Sequence, residues 1–206
     1  MMRTLVIDCA TEACSVALLE DGALLGGEFR VLGRGHAEQL VPMIAALPGK
    51  GKALRIAVAV GPGSFTGVRV GLAAARALAF AWGAELVGYP TLHLIAAMAR
   101  DRLGAHAVTA VMTGGHGEWF VQGFAAGGAP LGELASLSPD QAAAQSAELV
   151  AGSQAEALVA LRGSGEALAL LPDARDFALL GPGSLTAEPT PLYGRAPDAK
   201  LPPTPR

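Results

Sequence analysis

The strongest constraint on the fold is a glycine-rich turn between an apolar run and a long, nearly uncharged segment. Residues 61–69 have the sequence Gly-Pro-Gly-Ser-Phe-Thr-Gly-Val-Arg and follow the apolar run at 56–60. A strand, a glycine turn and a helix N-terminus in this order are typical of α/β proteins, in which the first helical amides can face an anion. We therefore predict a strand-turn-helix unit with Ser64, Thr66 and Arg69 as candidate anion-facing residues.

Hydrophobic periodicity and turn residues predict three strands before the first helix. The predicted strands lie at 3–7, 14–19, 24–31, 55–60 and 85–88, and the helices at 36–47, 66–82 and 91–100, the last with Thr91 as its N-cap. Three strands followed by alternating helices and strands are typical of the actin and sugar-kinase superfamily, because a Rossmann domain would alternate from the start. The sequence thus predicts an α/β, actin-like fold with the N-terminal order β-β-β-α-β-α-β-α.

The second half has weaker patterns. Strands are predicted at 107–112, 118–124 and 158–161, and a helix at 139–150 behind a Ser138 cap. We expect two small subdomains, an N-terminal one at 1–102 and a C-terminal one at 103–206. The Pro-rich stretch from about residue 189 is expected to be extended.

Composition limits the classes of function. Of the 206 residues, 51% are apolar and 16% charged, which excludes general disorder, and the net charge is −3. Because phosphate neutralisation supplies most nucleic-acid affinity, any contact with nucleic acid is expected to be indirect. Cys9 and Cys14 are expected to be reduced, packed thiols, and without an export signal or a membrane span the expected location is cytoplasmic.

The second predicted helix is nearly uncharged. Arg69 and Arg76 are its only charged residues, and a helix that is apolar almost all round must be covered almost all round. We expect a partner to supply part of that cover, although neighbours within the chain are the alternative. A ridge of small residues was expected to admit a second helix, at Gly67, Gly71, Ala75 and Ala79. The candidate interface residues are Leu40, Val41, Ile44, Val70, Leu72, Ala73, Ala77 and Phe80.

Candidate catalytic chemistry is sparse. The four histidines include no pair at helical i, i+3 or i, i+4 spacing, so no metal site is predicted. The glycine turn has no lysine after its last glycine, which excludes a P-loop. Asp8 ends the first strand, with Thr11 in the next turn, at the position where actin-like ATPases place an acid near the metal-nucleotide. This leaves as an alternative function a small actin-like ATPase or phosphotransferase that uses Asp8, Thr11 and the Ser64 loop. A turn hydrogen bond is the other role for Asp8.

Five segments of the sequence, taken together and in their order along the chain, resemble the bacterial TsaB (YeaZ) family. They are residues 7–18, 36–42, 61–71, 88–92 and 191–195, densest in the first hundred residues. The chain departs from the family pattern at Cys9, at Thr113 to His116, at Gly194 and in the shortened region from Leu180 to Pro189. These departures leave the first two predicted helices intact.

The resemblance implies a non-catalytic subunit of the machinery that transfers a threonylcarbamoyl group to the adenosine next to the anticodon of tRNA. Its partners would be the related subunit TsaD, paired through the first two helices of each protein, and the ATPase TsaE, with a homodimer when alone. No tightly bound cofactor is implied, and ATP or ADP would act only within the assembled complex. TsaD holds a metal through a His-x-x-x-His helix, of which this chain keeps His36 but has Leu40 at the second position.

Overall fold

Two five-stranded sheets, each flanked by helices, form the protein, whose computed structural model describes residues 1–194. The first sheet has the order β3-β2-β1-β4-β5. Its strands are β1 (Arg3–Asp8), β2 (Ala13–Glu20), β3 (Ala23–Val31), β4 (Arg55–Ala59) and β5 (Glu85–Tyr89). The first three strands are antiparallel neighbours, whereas β4 pairs in parallel with β1 and β5 with β4. β1 and β4 are buried on both faces, as expected for strands covered on two sides.

Three helices accompany the first sheet. They are α1 (His36–Ala46), α2 (Phe65–Trp82) and α3 (Thr91–Leu103). α1 packs beside α2, and α2 packs mainly on β4 with further contacts to β1 and β5. α2 begins at the Ser64 cap and ends at Gly83, whose left-handed backbone suits glycine. The predicted strand-turn-helix unit is therefore present.

The second sheet repeats the connectivity of the first. Its order is β10-β9-β6-β7-β8, with β6, β7 and β8 antiparallel and β9 and β10 parallel to β6. The strands are β6 (Val108–Thr113), β7 (Trp119–Phe124), β8 (Ala135–Leu137), β9 (Leu149–Ala151) and β10 (Glu166–Leu168), and the helices are α4 (Pro139–Gln145) and α5 (Ala155–Arg162). This repeat confirms the predicted α/β, actin-like fold.

The two sheets share one hydrophobic core through α3. α3 packs on β6, β7 and β9 and on a 3-10 turn at Ala174–Leu179, and that turn also lies against β1, β2 and β3. The end of the described chain therefore returns to the first sheet. The backbone N–H of Ala174 donates to Ser15 Oγ at 2.9 Å, and that of Leu192 donates to the Val60 carbonyl at 2.7 Å. Within residues 1–194 no helix is long and apolar enough to span a membrane.

The predicted boundary at 102–103 falls between α3 and β6, and the exact division into subdomains stays a prediction. The predicted extended tail lies only partly within the described residues. Its first part is held against the first sheet, and residues 195–206 lie outside the described residues.

Three predictions about the elements were wrong. The helix predicted at 139–150 ends at Gln145, because residues 149–151 form the buried strand β9. The strand predicted at 158–161 is part of α5, whose Ala and Leu residues are strong helix formers. Thr91 is the first helical residue of α3 and Pro90 is its N-cap, so the Thr91 side chain does not cap the helix.

Candidate functional site

The glycine turn fixes which side of α2 faces the sheet. A Cβ at Gly67 would collide with the carbonyl oxygen of Cys9, and one at Gly71 would reach ordinary contact with Cys9, Val58 and Ile7. Gly67, Gly71 and the later Ala75 and Ala79 are all buried. The small-residue ridge therefore packs on the chain's own sheet, and the prediction that a second helix approaches it was wrong.

The opposite side of α2 is exposed and mostly apolar, with Arg69 and Arg76 along one edge of it. Phe80 is 93% exposed, and Ala73 and Ala77 are also exposed, while Val70 is half-buried. On the adjacent α1, Val41 is 60% exposed and Ala45 is exposed. We call this surface the outer face, which consists of Val41, Ala45, Val70, Ala73, Ala77 and Phe80.

Three predicted interface residues lie elsewhere. Leu40, Ile44 and Leu72 are buried in the core, because they lie on the sides of α1 and α2 that face the sheet. Their prediction as surface residues was wrong. The exposure of Phe80 likewise excludes the alternative that neighbours within residues 1–194 cover α2 completely.

Both charged residues of α2 hold the C-terminal segment. The Arg76 guanidinium donates to the Pro189 carbonyl at 2.8 Å. The Arg69 guanidinium donates to the Tyr193 hydroxyl at 3.0 Å and lies 3.5 Å from the centre of the Phe65 ring. Arg69 therefore serves as a tether for the segment around Tyr193, a role that the spacing of the glycine turn did not predict.

Asp8 is a buried carboxyl held by its own chain. Only 1% of it is exposed, and its Oδ1 accepts a hydrogen bond from the Ala10 N–H at 2.9 Å. Oδ2 accepts one from the Tyr89 hydroxyl at 3.1 Å. Desolvation by burial raises the pKa of Asp8 from 3.8 to about 7, and the two hydrogen bonds oppose that rise. In the structure Asp8 therefore accepts a turn hydrogen bond, which is the second of the two roles considered for it from the sequence.

His36 occupies the position at which TsaD would hold its metal, but here it binds main-chain carbonyls. Its Nε2 lies 2.9 Å from the Thr11 oxygen and 3.2 Å from the Ala13 oxygen. Because both partners are acceptors, Nε2 carries the proton and donates to them. Leu40 one turn later is buried in the core. Among residues 1–194 no group of three or more His, Cys, Asp and Glu side chains could hold a metal ion.

A cleft of about 260 Å³ lies between the parts of the chain that carry the two sheets. Thr11, Glu12 and Ser64 line it from the side of the first sheet, and Thr113 and Ser153 from the side of the second. None of the described residues that line it has a cationic side chain. A second cavity of about 480 Å³ lies between the start of α1 and the start of α2, where Thr66 and Ser64 line one wall.

The five predicted anion-facing residues are not brought into one site. Asp8 and Arg69 line neither the cleft nor the cavity. Two amides of the turn are also engaged, because the Ser64 N–H donates to the Ala10 carbonyl at 2.7 Å and the Gly67 N–H donates to Ser64 Oγ at 3.2 Å. Thr11 Oγ1 accepts from the Ala13 N–H.

The family model described as "TsaD: tRNA N6-adenosine threonylcarbamoyltransferase" matches residues 30–185. The Escherichia coli protein named "tRNA threonylcarbamoyladenosine biosynthesis protein TsaB" is 40% identical over 122 residues, which cover 57% of this chain and 52% of that protein. A Haemophilus influenzae protein of the same name is 42% identical over 100 residues, 46% of this chain and 41% of that protein. The chain thus matches about half the length of these curated relatives or less.

Solved structures match over most of the chain. YeaZ from Pseudomonas aeruginosa is 32% identical with a TM-score of 0.74, over 87% of this chain and 90% of that chain. An uncharacterized protein with similarity to peptidase YeaZ, from the same organism, is also 32% identical, with a TM-score of 0.78 over 95% and 100% of the two chains. The fold therefore matches along nearly the whole chain, and the family model matches residues 30–185. The chain belongs to the family of the matching model and, within it, to the TsaB (YeaZ) family.

Proposed function

We propose that this chain is an accessory, non-catalytic subunit of the cytoplasmic machinery that forms threonylcarbamoyladenosine in tRNA. Relatives named TsaB are named for the biosynthesis of this nucleoside, and the matching family model carries the name of the transferase. In this proposal the chain docks on the related subunit TsaD and works with the ATPase TsaE. Nucleotide is bound only in the assembled complex, and tRNA is contacted indirectly.

The outer face is the observation on which the proposal depends. Phe80 projects into solvent with 93% of its surface exposed, and exposed alanines precede it on α2 at helical spacing. Small side chains let a second helix approach closely, and a large aromatic residue among them is a typical anchor of an interface. A helix face of this kind is better suited to a helical partner than to water.

Two further observations support a non-catalytic role. The His36 ring is occupied by two main-chain carbonyls, and Asp8 is enclosed by Tyr89 and Ala10. Both side chains therefore stabilise the first sheet and its turn. The net charge of −3 also gives no general attraction for the tRNA backbone, which supports indirect contact.

The alternative function, a small actin-like ATPase or phosphotransferase, has weaker support. The cleft between the subdomains has about 260 Å³, below the roughly 300–1,000 Å³ usual for ligand pockets, and among residues 1–194 Glu12 is its one charged lining residue. A triphosphate would meet no cation from that part of the chain. Calorimetric titration of the isolated chain with ATP and magnesium should give no saturable heat, and a stoichiometric heat would favour the alternative.

Reconstituted modification tests the proposal. Purified TsaD, TsaE and tRNA from the same organism, with the threonylcarbamoyl donor, should form the modified nucleoside when this chain is added. Ala77→Glu places a charge in the middle of the outer face and should reduce product formation at least tenfold, because an unpaired charge at a buried interface costs several kcal/mol. Leu131→Glu, at a residue that is 67% exposed in the second subdomain, is the matched control and should keep full activity. Equal product with Ala77→Glu, or product from the chain alone, would contradict the proposal.

A further inference from the structure

A pocket of about 470 Å³ lies on the side of α3 that faces the loop after β7. None of its lining residues lines the cleft or the cavity described above. α3 contributes one wall, the turn at 127–130 a second, and the segment at 179–184 a third. The lining side chains and backbone belong to His93, Ala97, Arg100, Gly127, Gly128, Ala129, Pro130, Leu179, Leu180, Gly181, Gly183 and Ser184.

The guanidinium of Arg100 faces this pocket without a partner. Its Nε atom is buried and has no hydrogen-bond acceptor, and within residues 1–194 the Arg100 side chain forms neither a hydrogen bond nor an ion pair. Buried polar side-chain atoms are paired in the large majority of cases, so an unpaired guanidinium nitrogen indicates a missing acceptor. Since Arg100 lines the pocket, an acceptor that enters the pocket could pair with its guanidinium.

The backbone on the other side of the pocket is shaped around this guanidinium. Gly128 has a φ of 87°, and a Cβ there would collide with the Arg100 guanidinium. The glycine therefore serves two purposes, since it accepts a left-handed backbone and lets the cation lie directly against the main chain.

Among the described lining residues, Arg100 supplies the only formal charge. Within residues 1–194 no Asp or Glu lines the pocket, and His93 is the one other titratable lining residue. Burial lowers the pKa of His93, so its ring is neutral at pH 7, and its Nδ1 lies 3.2 Å from Ser184 Oγ. Leu179, Leu180 and Ala97 give the remaining wall an apolar character.

We propose that this pocket binds a small molecule with an oxyanion group, a carboxylate or a phosphate, on Arg100. A guanidinium presents planar, paired donors that match either group, and charge-assisted hydrogen bonds of this kind are about twice as strong as neutral ones. The hydroxyl of Ser184 is a further polar contact, and the leucines cover the apolar part of the ligand. The pocket volume lies within the range usual for small-molecule sites.

The test is an NMR titration of the full chain in which individual backbone amides are resolved. The two probes are inorganic phosphate and succinate, which distinguish a phosphate ligand from a carboxylate ligand. Saturable shifts of the amides of Gly127, Gly128 and Ser184 with either probe would support the site. The probe with the higher affinity would identify which oxyanion group the pocket prefers. Arg100→Met keeps the length of the side chain but removes the charge, and it should weaken that affinity at least tenfold. Arg102→Met, at an exposed arginine on the same helix, is the matched control and should leave the affinity within twofold.

Ser184→Asp provides a second variant in case Arg100→Met does not fold. It places a carboxylate in the pocket that would pair with Arg100, and it should also reduce the affinity at least tenfold. Shifts that do not saturate with either probe would overturn the proposal. Equal affinity of the wild type and of whichever variant folds would overturn it as well, because binding would then not depend on the cation.

Discussion

The hydroxyl of Tyr89, at the end of β5, lies 3.1 Å from Oδ2 of Asp8, at the end of β1. Both residues are buried, and the same hydroxyl is 3.3 Å from the Ile7 carbonyl. The contact joins two strands that are separated in the sheet by β4. It also encloses the Asp8 carboxyl, which the alternative ATPase function would place near a nucleotide.

The raised pKa of Asp8 predicts a pH dependence of stability. Because the pKa is about 7 in the folded state and near 3.8 in the unfolded chain, only the unfolded chain releases this proton between those values. The free energy of unfolding should therefore fall as pH rises from about 4 to about 7 and then level off. The shift from 3.8 to about 7 corresponds to a loss of about 4 kcal/mol from this group.

Asp8→Asn is the variant that isolates this effect. An amide keeps an acceptor for the Ala10 N–H and cannot ionise, so the stability difference between variant and wild type should move in favour of the variant as pH rises. Urea unfolding at several pH values between 5 and 8 measures that difference. A difference that stays constant across this range would contradict the assignment.

His36 should act through its hydrogen bonds to two carbonyls. His36→Ala leaves the Thr11 and Ala13 oxygens without their donor, and each buried unsatisfied group costs about 1–3 kcal/mol. His36→Gln keeps an N–H donor and should recover part of the loss. Chemical denaturation of the two variants gives both values. If zinc or iron added to the wild type raised its midpoint and added to His36→Gln did not, the residue would instead be a metal ligand.

The two glycines on the buried side of α2 should respond oppositely to alanine. Gly67→Ala places a Cβ against the Cys9 carbonyl, a backbone atom that cannot move aside cheaply, and should destabilise the fold by about 1–3 kcal/mol. Gly71→Ala meets its neighbours at 3.6 Å or more and should be neutral or stabilising by up to about 1 kcal/mol, since alanine favours a helix. Thermal or urea unfolding compares them, and equal losses would show that α2 does not rest on β1 as described.

The first half of the fold could be predicted closely because strong local signals agree there. The helix predicted at 66–82 behind the glycine turn matches α2 to within one residue, and the strands predicted at 14–19 and 24–31 match β2 and β3 to within one residue. The second half has strands of three residues, such as β8 and β9. Short apolar runs fit a strand or a helix equally well, so only tertiary packing decides between them.

The candidate site could be predicted only in part for a related reason. Because α2 is apolar on almost every side, a helical wheel does not show which side faces the sheet. From the sequence, Leu72 and Phe80 are therefore equally good candidates for the interface. Only the contact of Gly67 with Cys9 decides how the helix is rotated about its axis. The spacing of the glycines alone does not show which of them lies so close to the main chain that a Cβ atom would collide with it. The tether between Arg69 and Tyr193 spans 124 residues, and no local pattern indicates it.

The most direct measurement of the central proposal is the affinity of this chain for TsaD from the same organism, determined by calorimetry with wild type, Phe80→Glu and Leu131→Glu. Phe80 is so exposed that its replacement should change the stability of the isolated chain by no more than about 0.5 kcal/mol, which circular dichroism and unfolding can verify. We expect the wild type and Leu131→Glu to bind TsaD alike and Phe80→Glu to bind at least a hundredfold more weakly. Equal binding by a folded Phe80→Glu would contradict the proposal that the outer face is where the partner docks.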